Sequence, residues 1–441
     1  LAGLAASLLV PAARSQTSPP APSAFARLDF PGVDSPVRTL FATNGIAYLA
    51  GSFSEIGANY GSGLVLDTAS HRILEAWPRA NGRIDAVVPD SSGGWFIGGN
   101  FTRVGNLPRA GLAHVRGDGS VDPGWIADVR GGVLTLTVVG RELYVGGTFT
   151  AVGGQNRNRI ASLNAANGTV SPWNPNASGP VNAIVVSGTR VFVGGSFTNI
   201  GGEDRLNLAS IDSVSGGATG FNPAPSGPVQ ALALAGTSLY VGGSFTNLGG
   251  NARINLGAVN AFSGVVLPVD PRPDGPVRTL QLTQNLLFFG GDFTSVGTIQ
   301  GSSIAALDLG TGTLQAWSTS ITGSVASLTI DGDELHAGGE FTAGEGRNYA
   351  ALNLASGATI DRPPLLPGGP VRAVATSAGN TFVGGAFTLY NPVPRAGLAA
   401  VRLSDGAILP FDARLQSPTN LARPVVNTLT LVSNALFIGG E

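Results

Sequence analysis

One arginine position recurs along this chain with a spacing that could serve chemistry. The arginine follows the phenylalanine of a repeated Gly-Gly-x-Phe-Thr motif. A guanidinium binds a carboxylate through two parallel hydrogen bonds. A set of them at one end of a molecule could therefore bind an anionic glycan or a carboxylate-bearing protein. The members of this arginine series are Arg109, Arg157, Arg205, Arg253, Arg347 and Arg395.

The same regularity also favours a structural role for the arginine series. In this alternative, each guanidinium bonds carbonyl groups of its own loop or an aspartate of the neighbouring repeat. Ligand sites usually break the symmetry of a repeat, whereas this arginine follows it. Two copies of the repeat carry Gly61 and Gly301 at the arginine position, so a ring of charge would have gaps.

Other reactive side chains do not form a pattern. The three histidines, His71, His114 and His336, occupy unrelated positions of the repeat, and the carboxylates are scattered. We therefore predict no metal cluster, and no acid–base pair for glycoside hydrolysis can be picked from the sequence. Because the chain contains no cysteine, it has no disulfide, no thiolate zinc site and no cysteine nucleophile. We predict no catalytic residues and no cofactor.

The motif phenylalanine sets the period of the chain. Successive copies lie 48 residues apart six times and then 46 apart, because the loop Phe341–Arg347 is two residues shorter than Phe197–Arg205. A period this steady indicates one supersecondary unit that is repeated. The copies are Phe53, Phe101, Phe149, Phe197, Phe245, Phe293, Phe341 and Phe387.

Each unit contains patterns typical of β-strands. In the clearest copy, Val181–Val186 is a first strand, Val191–Phe197 a second and Leu206–Ile211 a third, with a tight turn at Ser187-Gly188. A short fourth strand follows, and it carries an aromatic residue 24 positions after the motif phenylalanine. These aromatic residues are Trp77, Trp125, Trp173, Phe221, Trp317 and Phe411.

Four strands in about 48 residues match one blade of a β-propeller. The sequence predicts an all-β propeller of about eight four-stranded blades, with nine blades as the alternative. We expect the motif phenylalanine to fill the space between sheets, and the paired glycines before it to allow close backbone approach or a bulge. The segment Ala26–Pro31 resembles a fourth strand that could close the ring.

Composition sets the domain boundaries and excludes some partners. Residues 1–14 are typical of a truncated secretory signal, residues 15–25 form a Ser- and Pro-rich linker, and residues 26–441 form the propeller, truncated at its C-terminus. No stretch is predicted to span a membrane. The net charge of −2 gives no reason to expect a nucleic acid partner or an anionic membrane.

The motifs resemble those of the delta-60 repeat family. They are Gly-Gly-x-Phe-Thr, then Gly-Gly-x-x-Arg, then Leu-Asn or Leu-Asp before a glycine turn, and the resemblance covers nearly everything from residue 36 onward. It implies a β-propeller of a bacterial secreted or surface protein. It implies little about activity, because the shared residues look like packing and turn residues.

A weaker resemblance points to an enzyme family. Residues 306–317 look like the tryptophan-docking repeat of quinoprotein dehydrogenases, which are eight-bladed. That family holds a quinone beside calcium, often with a disulfide between adjacent cysteines. The chain has no cysteine, and no inserted segment supplies a catalytic aspartate with metal ligands.

We therefore expect a non-catalytic binding or structural module, extracellular or at the cell surface, and a monomeric part of a longer protein. Its expected ligand is a protein or a glycan. The alternative is a propeller enzyme, either a quinoprotein-like dehydrogenase or a carbohydrate-active enzyme.

Overall fold

The protein is all-β in a computed structural model, and no helix occurs in the part of the chain that the model describes. Those residues are 8–9, 32–33, 37–43, 46–51, 55–59, 61–68, 77–297, 299–300, 303–317, 319–343, 346–360, 367–377, 379–387, 389–394, 398–402, 408–410, 415, 426–432 and 435–440. Within these ranges, no helix is long and apolar enough to cross a membrane. The proposed signal and linker lie outside them, apart from Leu8–Leu9.

The chain divides into two compact units. The first comprises Leu1–Tyr60, Leu366–Gly368 and Thr388–Glu441, and the second comprises Gly61–Leu365 and Gly369–Phe387. In the first unit, the described strands form three antiparallel sheets. Their strands are Leu8–Leu9, Ala435–Gly440 and Val426–Val432; Gly32–Val33, Glu55–Asn59 and Leu389–Pro394; and Val37–Thr43, Ile46–Gly51 and Leu398–Arg402.

The second unit contains seven main antiparallel sheets, each of three strands. We number them 1 to 7 and name their strands first, second and third in the order given. They are Arg83–Pro89, Trp95–Asn100 and Leu112–Val115; Val133–Val139, Glu142–Gly147 and Ile160–Asn164; Val181–Ser187, Arg190–Gly195 and Leu208–Asp212; Val229–Ala235, Ser238–Gly243 and Leu256–Asn260; Val277–Leu282, Leu286–Gly291 and Ile304–Asp308; Thr322–Asp331, Glu334–Ala343 and Gly346–Asn353; and Val371–Ser377, Asn380–Gly385 and Gly63–Asp67.

Short ribbons fold the loops between the second and third strands. One of them, Ala151–Val152 with Gln155–Asn156, also pairs with Val129–Arg130. The others are Arg103–Val104 with Leu107–Pro108, Asn199–Ile200 with Glu203–Asp204, Asn247–Leu248 with Asn251–Ala252, and Ser295–Val296 with Ile299–Gln300.

The first glycine of each motif lets the next sheet pack closely. A Cβ atom at Gly194 would overlap the Val229 side chain that begins the first strand of sheet 4. The same contact recurs around the unit, and its last member joins sheet 7 to sheet 1. The seven pairs are Gly98 with Val133, Gly146 with Val181, Gly194 with Val229, Gly242 with Val277, Gly290 with Val325, Gly338 with Val371, and Gly384 with Ile84.

This closed succession of contacts means that the first strands surround a common axis. Each first strand also contacts the first strand of the next sheet, and Val371–Ser377 contacts Arg83–Pro89. Radial sheets around one axis are the arrangement of a β-propeller. The predicted fold class is confirmed at this level.

The strand that completes sheet 7 comes from the beginning of the unit. Gly63–Asp67 pairs with Asn380–Gly385, with Val65 opposite Phe382. The sequence predicted that all strands of a repeat share one sheet, and this is wrong here. In the first unit, likewise, Leu398–Arg402 pairs with Ile46–Gly51. The third strands of different repeats carry similar apolar residues, so either can fill this edge. The other closing segment considered, Ala26–Pro31, lies outside the described residues.

The core lies between neighbouring sheets. One cluster joins Tyr144 and Ile160 of sheet 2 to Val181, Val193 and other side chains of sheet 3. Within the described part of the chain, all seven motif phenylalanines are buried, from Phe101 to Phe387, and their predicted packing role is confirmed. Phe53 lies outside that part.

The predicted fourth strand is reduced to a single bridge. Val170 pairs with Leu163, and Ala218 pairs with Ile211, without extending into a ladder. After Val170 a proline follows almost at once, in Ser171-Pro172-Trp173-Asn174-Pro175. Proline has no N–H to donate to a ladder, which explains why pairing stops in this copy.

The sequence predicted eight blades, or alternatively nine, along residues 26–441. The described strands form seven main sheets in the second unit and three sheets in the first. Neither predicted count is confirmed.

Candidate functional site

A β-bulge interrupts the first strand of every main sheet in the second unit. In sheet 3, Val181 pairs with Gly195 and Ala183 pairs with Gly194, so Asn182 is an extra residue without a partner position. The second motif glycine makes room for it, since a Cβ at Gly195 would overlap the carbonyl of Pro180. A bulge re-aims a side chain and is common beside functional sites.

The bulge residue varies from sheet to sheet although its backbone position does not. The same register shift occurs in all seven sheets of the second unit. Each of these residues, taken as a whole, is half-buried or exposed, although it lies on the innermost strand of its sheet. The seven bulge residues, in sheet order, are Asp85, Leu134, Asn182, Gln230, Arg278, Ala326 and Arg372.

Several bulge residues contact the next sheet. Asn182 donates from Nδ2 to the carbonyl of Val229 at 3.0 Å. Arg372 of sheet 7 lies 4.0 Å from the carboxylate of Asp85 in sheet 1. Because the bulge recurs on the innermost strand of each sheet, the bulge residues lie at equivalent positions around the axis, and some of them are linked from one sheet to the next.

The side chain of Asp85 is a buried member of this group. Its side chain is only 8% exposed, and Arg83 bonds it at 2.9 Å. Burial raises the pKa of Asp85, and the hydrogen bond and charge of Arg83 together with the charge of Arg372 offset only part of that rise. A buried carboxylate with a perturbed pKa is a frequent property of functional sites.

Arg278 is held in a fixed orientation. It bonds Asp292 through both Nε, at 2.7 Å, and Nη2, at 2.5 Å, and Ser324 of sheet 6 donates to the same carboxylate at 2.5 Å. Burial alone would raise the pKa of Asp292, but the hydrogen bonds from Arg278 and Ser324 outweigh it and lower the pKa. Arg278 remains 41% exposed, so part of its guanidinium can still meet a ligand.

This group suits the binding of a polar ligand. Its arginines and amides donate hydrogen bonds, and its carboxylates and amide oxygens accept them. The Oε1 atom of Gln230 is buried and has no donor among the described residues. The two carboxylates, Asp85 and Asp292, each pair with arginine, an arrangement that suits recognition better than proton transfer.

Sequence reasoning missed the bulge residues because it treated the first strand as uninterrupted alternation. A usable signal was present. The residue that follows the first Val or Ile of each first strand changes chemical type from copy to copy, whereas the residue before it is always Val or Ile. A variable polar position inside a uniform repeat is what a ligand site would require.

The arginine series that the sequence singled out is largely engaged by its own sheets. Nη1 of each of four arginines donates to the carbonyl of the preceding residue, and Nη2 to a carbonyl fourteen residues later. For Arg157 these acceptors are Asn156 at 2.9 Å and Ser171 at 2.8 Å. Arg109, Arg205 and Arg253 repeat the pattern, with Pro123, Thr219 and Leu267 as the later acceptors.

These contacts support the structural alternative for the series. Arg109 and Arg157 are buried, and the Nε atoms of all four are also buried, so little of each guanidinium faces solvent. Arg347 lies in the third strand of sheet 6, opposite Thr342, and Arg395 lies outside the described residues. A ligand-binding role for the series remains a prediction.

The structure gives two of the histidines defined surroundings. His114 lies between the carboxylates of Asp90, at 2.8 Å, and Asp122, at 3.3 Å. His336 is fully buried, and its Nδ1 lies 2.8 Å from the Tyr349 hydroxyl. His71 lies outside the described residues, and within them no group of His, Cys, Asp and Glu is arranged to hold a metal ion.

A family model described as a β-propeller domain of unknown function, DUF5122, matches residues 142–170. This segment runs from the second strand of sheet 2 to the bridge after its third strand, so the match agrees with the propeller arrangement. No curated protein matches the chain.

Two solved structures illustrate what the chain is similar to. The computationally designed Ika8 protein is 14% identical, covers 82% of this chain and 97% of its own, and has a TM-score of 0.47. The WD40 β-propeller domain of Doa1 is 12% identical, covers 73% and 93%, and has a TM-score of 0.45. Neither likeness carries an argument about function.

Proposed function

We propose that this chain is a non-catalytic binding or structural module of a secreted or cell-surface protein, and that it binds a polar ligand at the bulge residues. One observation carries the proposal. Seven sheets repeat the same bulged backbone, yet the side chain at the bulge is acidic, amide, basic or apolar. Packing alone would favour one residue type at one geometry.

The ligand class follows from the available groups. Arg372 and Arg278 are partly exposed cations, and Asn182 and Gln230 add amides. This mixture suits the hydroxyl and carboxylate groups of a glycan, or a polar protein segment. The extracellular location is supported by the leader-like composition of residues 1–14, and the delta-60 resemblance is consistent with it.

A binding screen tests the proposal. The full chain would be applied to an array of neutral and acidic glycans and to extracellular protein extracts, and the best ligand would be titrated against variants. We expect Arg372→Ala to weaken binding by about 10- to 100-fold, because a lost hydrogen bond to a charged group costs about 1.5–3 kcal/mol. Asn182→Ala should weaken it less.

The matched control is Arg141→Ala, which removes an exposed arginine from the hairpin of sheet 2. It should bind like the unmodified chain. Equal binding by Arg372→Ala, Asn182→Ala and the control would show that the ligand contacts another surface. Turnover of a bound glycan would instead support the alternative of a carbohydrate-active enzyme.

A further inference from the structure

Sheet 1 departs from the other sheets at the end of its first strand. Five residues, Asp90 to Gly94, join its first two strands, whereas two residues do so in sheets 2, 3 and 4. Its third strand ends in the turn Arg116–Ser120, which is closed by a bond from the Arg116 N–H to the Ser120 carbonyl. The corresponding turn of sheet 2 is closed one residue later, between Asn164 and Thr169. The symmetry of the repeat is therefore broken at this place.

The tryptophan that precedes sheet 1 lacks the bond made by its equivalents. Trp125 donates from Nε1 to the carbonyl of Ala165 at 2.9 Å, in the turn of the next sheet. Trp173 and Trp317 do the same to Asp212 and Leu354. Trp77 occupies the same repeat position and packs edge-on against Phe382 at 4.8 Å. Its Nε1 is buried and has no acceptor in the described part of the chain.

A pocket lies beside this indole ring. Its volume is about 100 Å³, and its lining includes Trp77, Trp95, Arg116, Asp118 and Asn380. A space of this volume admits several water molecules or part of a larger ligand. A ligand seated here would keep its remainder in solvent.

Two indole rings and a polar rim give the pocket its chemistry. Trp95 is 3% exposed and stands where sheets 2, 3 and 4 carry Leu143, Val191 and Leu239. Arg116 is 48% exposed and Asp118 lies on the exposed turn. The aromatic rings offer an apolar surface, while Trp77 Nε1 needs an acceptor and Asp118 accepts hydrogen bonds.

The walls of this pocket are held together by His114. It bonds Asp90 of the long hairpin on one side and Asp122 on the other, and Arg116 donates to Asp122 at 2.9 Å. His114 also stacks on Phe96 at 4.6 Å. These contacts fix the hairpin and the turn relative to each other, so the pocket is formed before a ligand arrives.

We propose that this pocket between sheets 7 and 1 binds one pyranose residue of a glycan. A pyranose has an apolar C–H face that packs on an indole ring, and hydroxyl groups that both donate and accept hydrogen bonds. A carboxylate ligand fits less well, because Asp118 would repel it. This site is separate from the bulge residues, since Asp85 and Asp90 lie near opposite ends of the first strand of sheet 1.

Saturation-transfer NMR on the full chain tests the proposal, with glucose, galactose, mannose, fucose and N-acetylglucosamine as probes. We expect at least one of them to bind with millimolar affinity. Trp77→Phe should weaken that binding about tenfold, because it removes the unpartnered donor. The fold already accepts phenylalanine at this repeat position, as Phe221 shows, so the variant should remain folded.

Two further variants keep the result interpretable. Asp118→Ala changes an exposed turn residue and should also weaken binding. Trp173→Phe is the matched control, because it loses a bond to Asp212 far from the pocket and should lower the Tm without changing saccharide binding. The proposal is overturned if no probe binds, or if Trp77→Phe and Asp118→Ala bind as tightly as the unmodified chain.

Discussion

Individual polar residues in this chain mostly serve the backbone. Asp274 illustrates this, because its carboxylate accepts bonds from the backbone N–H groups of Thr294, at 2.8 Å, and Ser295, at 3.0 Å. In sheet 3 the hydroxyl of Ser178 does the same for Thr198 and Asn199. The same pair of backbone N–H groups is thus bonded by an ionisable carboxylate in one repeat and by a neutral hydroxyl in another.

This substitution makes Asp274 a source of pH-dependent stability. Burial would raise its pKa, but the hydrogen bonds from Ser295 and Thr294 outweigh that effect and lower the pKa to about 2. A carboxyl whose pKa is lowered by folding stabilises the protein above its unfolded pKa of 3.8, and this contribution is lost as the pH falls towards about 2. Asp274→Ser keeps a side-chain oxygen that can accept the two backbone hydrogen bonds, but it removes the negative charge. The stability difference between the unmodified chain and this variant, from urea denaturation, should shrink between about pH 5 and about pH 2.5. A difference that is constant with pH would contradict this account.

Asp85 should behave in the opposite way. Its pKa is raised by burial, so its ionised form is disfavoured by folding. The preference of the folded state for the protonated Asp85 carboxyl stabilises the protein fully below the unfolded pKa of 3.8. This contribution is lost as the pH rises through the raised pKa of the folded state. Asp85→Asn should therefore leave stability at neutral pH unchanged or slightly higher in thermal unfolding, and should reduce ligand binding at the bulge residues. A markedly lower Tm would show that the ion pairs with Arg83 and Arg372 outweigh burial.

At the scale of the element, the paired glycines determine how sheets meet. The first glycine admits a valine of the next sheet, and the second makes room for the bulge in its own first strand. From the sequence, close backbone approach or a bulge was expected of the glycine pair, without a separate role for each glycine. The extra residue itself was not predicted, since a bulge does not disturb the apolar pattern on either side of it.

Gly194→Ala tests the role of the first glycine. Its Cβ would overlap Val229 Cγ1 and touch Leu232 Cδ1 at 3.4 Å, so we expect a loss of about 1–3 kcal/mol, as for other overpacked cores. Chemical denaturation gives the free energy of unfolding. Gly220→Ala is the matched control, because nothing lies within 4 Å of its Cβ position. Similar losses in both variants would mean that sheet contact is not the cause.

At the scale of the whole molecule, the period and motifs predicted the fold class but not the pairing of its ends. Gly63–Asp67 and Leu398–Arg402 have similar strand patterns, and local sequence gives neither a preference for a particular sheet. The pocket at Trp77 was also beyond prediction. The sequence shows a tryptophan at the usual repeat position, whereas the missing acceptor depends on the shape of a turn in another sheet.

The closing strand should govern the stability of the second unit. We expect a fragment of residues 61–387 to unfold cooperatively on heating. A fragment of residues 70–387 lacks Gly63–Asp67 and leaves the edge of Asn380–Gly385 unpaired, so it should melt at a lower temperature and be cut sooner by protease. Circular dichroism and limited proteolysis make the comparison. Adding a peptide of residues 61–69 should restore part of the loss, and identical behaviour of the two fragments would contradict the closure.

The pairing of these distant strands also has a consequence for synthesis on the ribosome. Thr68 and Thr381, whose hydroxyls bond at 2.9 Å beside the closing strand, are 313 positions apart. At about 5–20 residues per second, the early segment would wait roughly 16 to 60 seconds for its partner to emerge. During that interval its apolar side chains and free backbone groups are open to other nascent chains, so translation speed and chaperone supply should affect the yield of correctly folded protein.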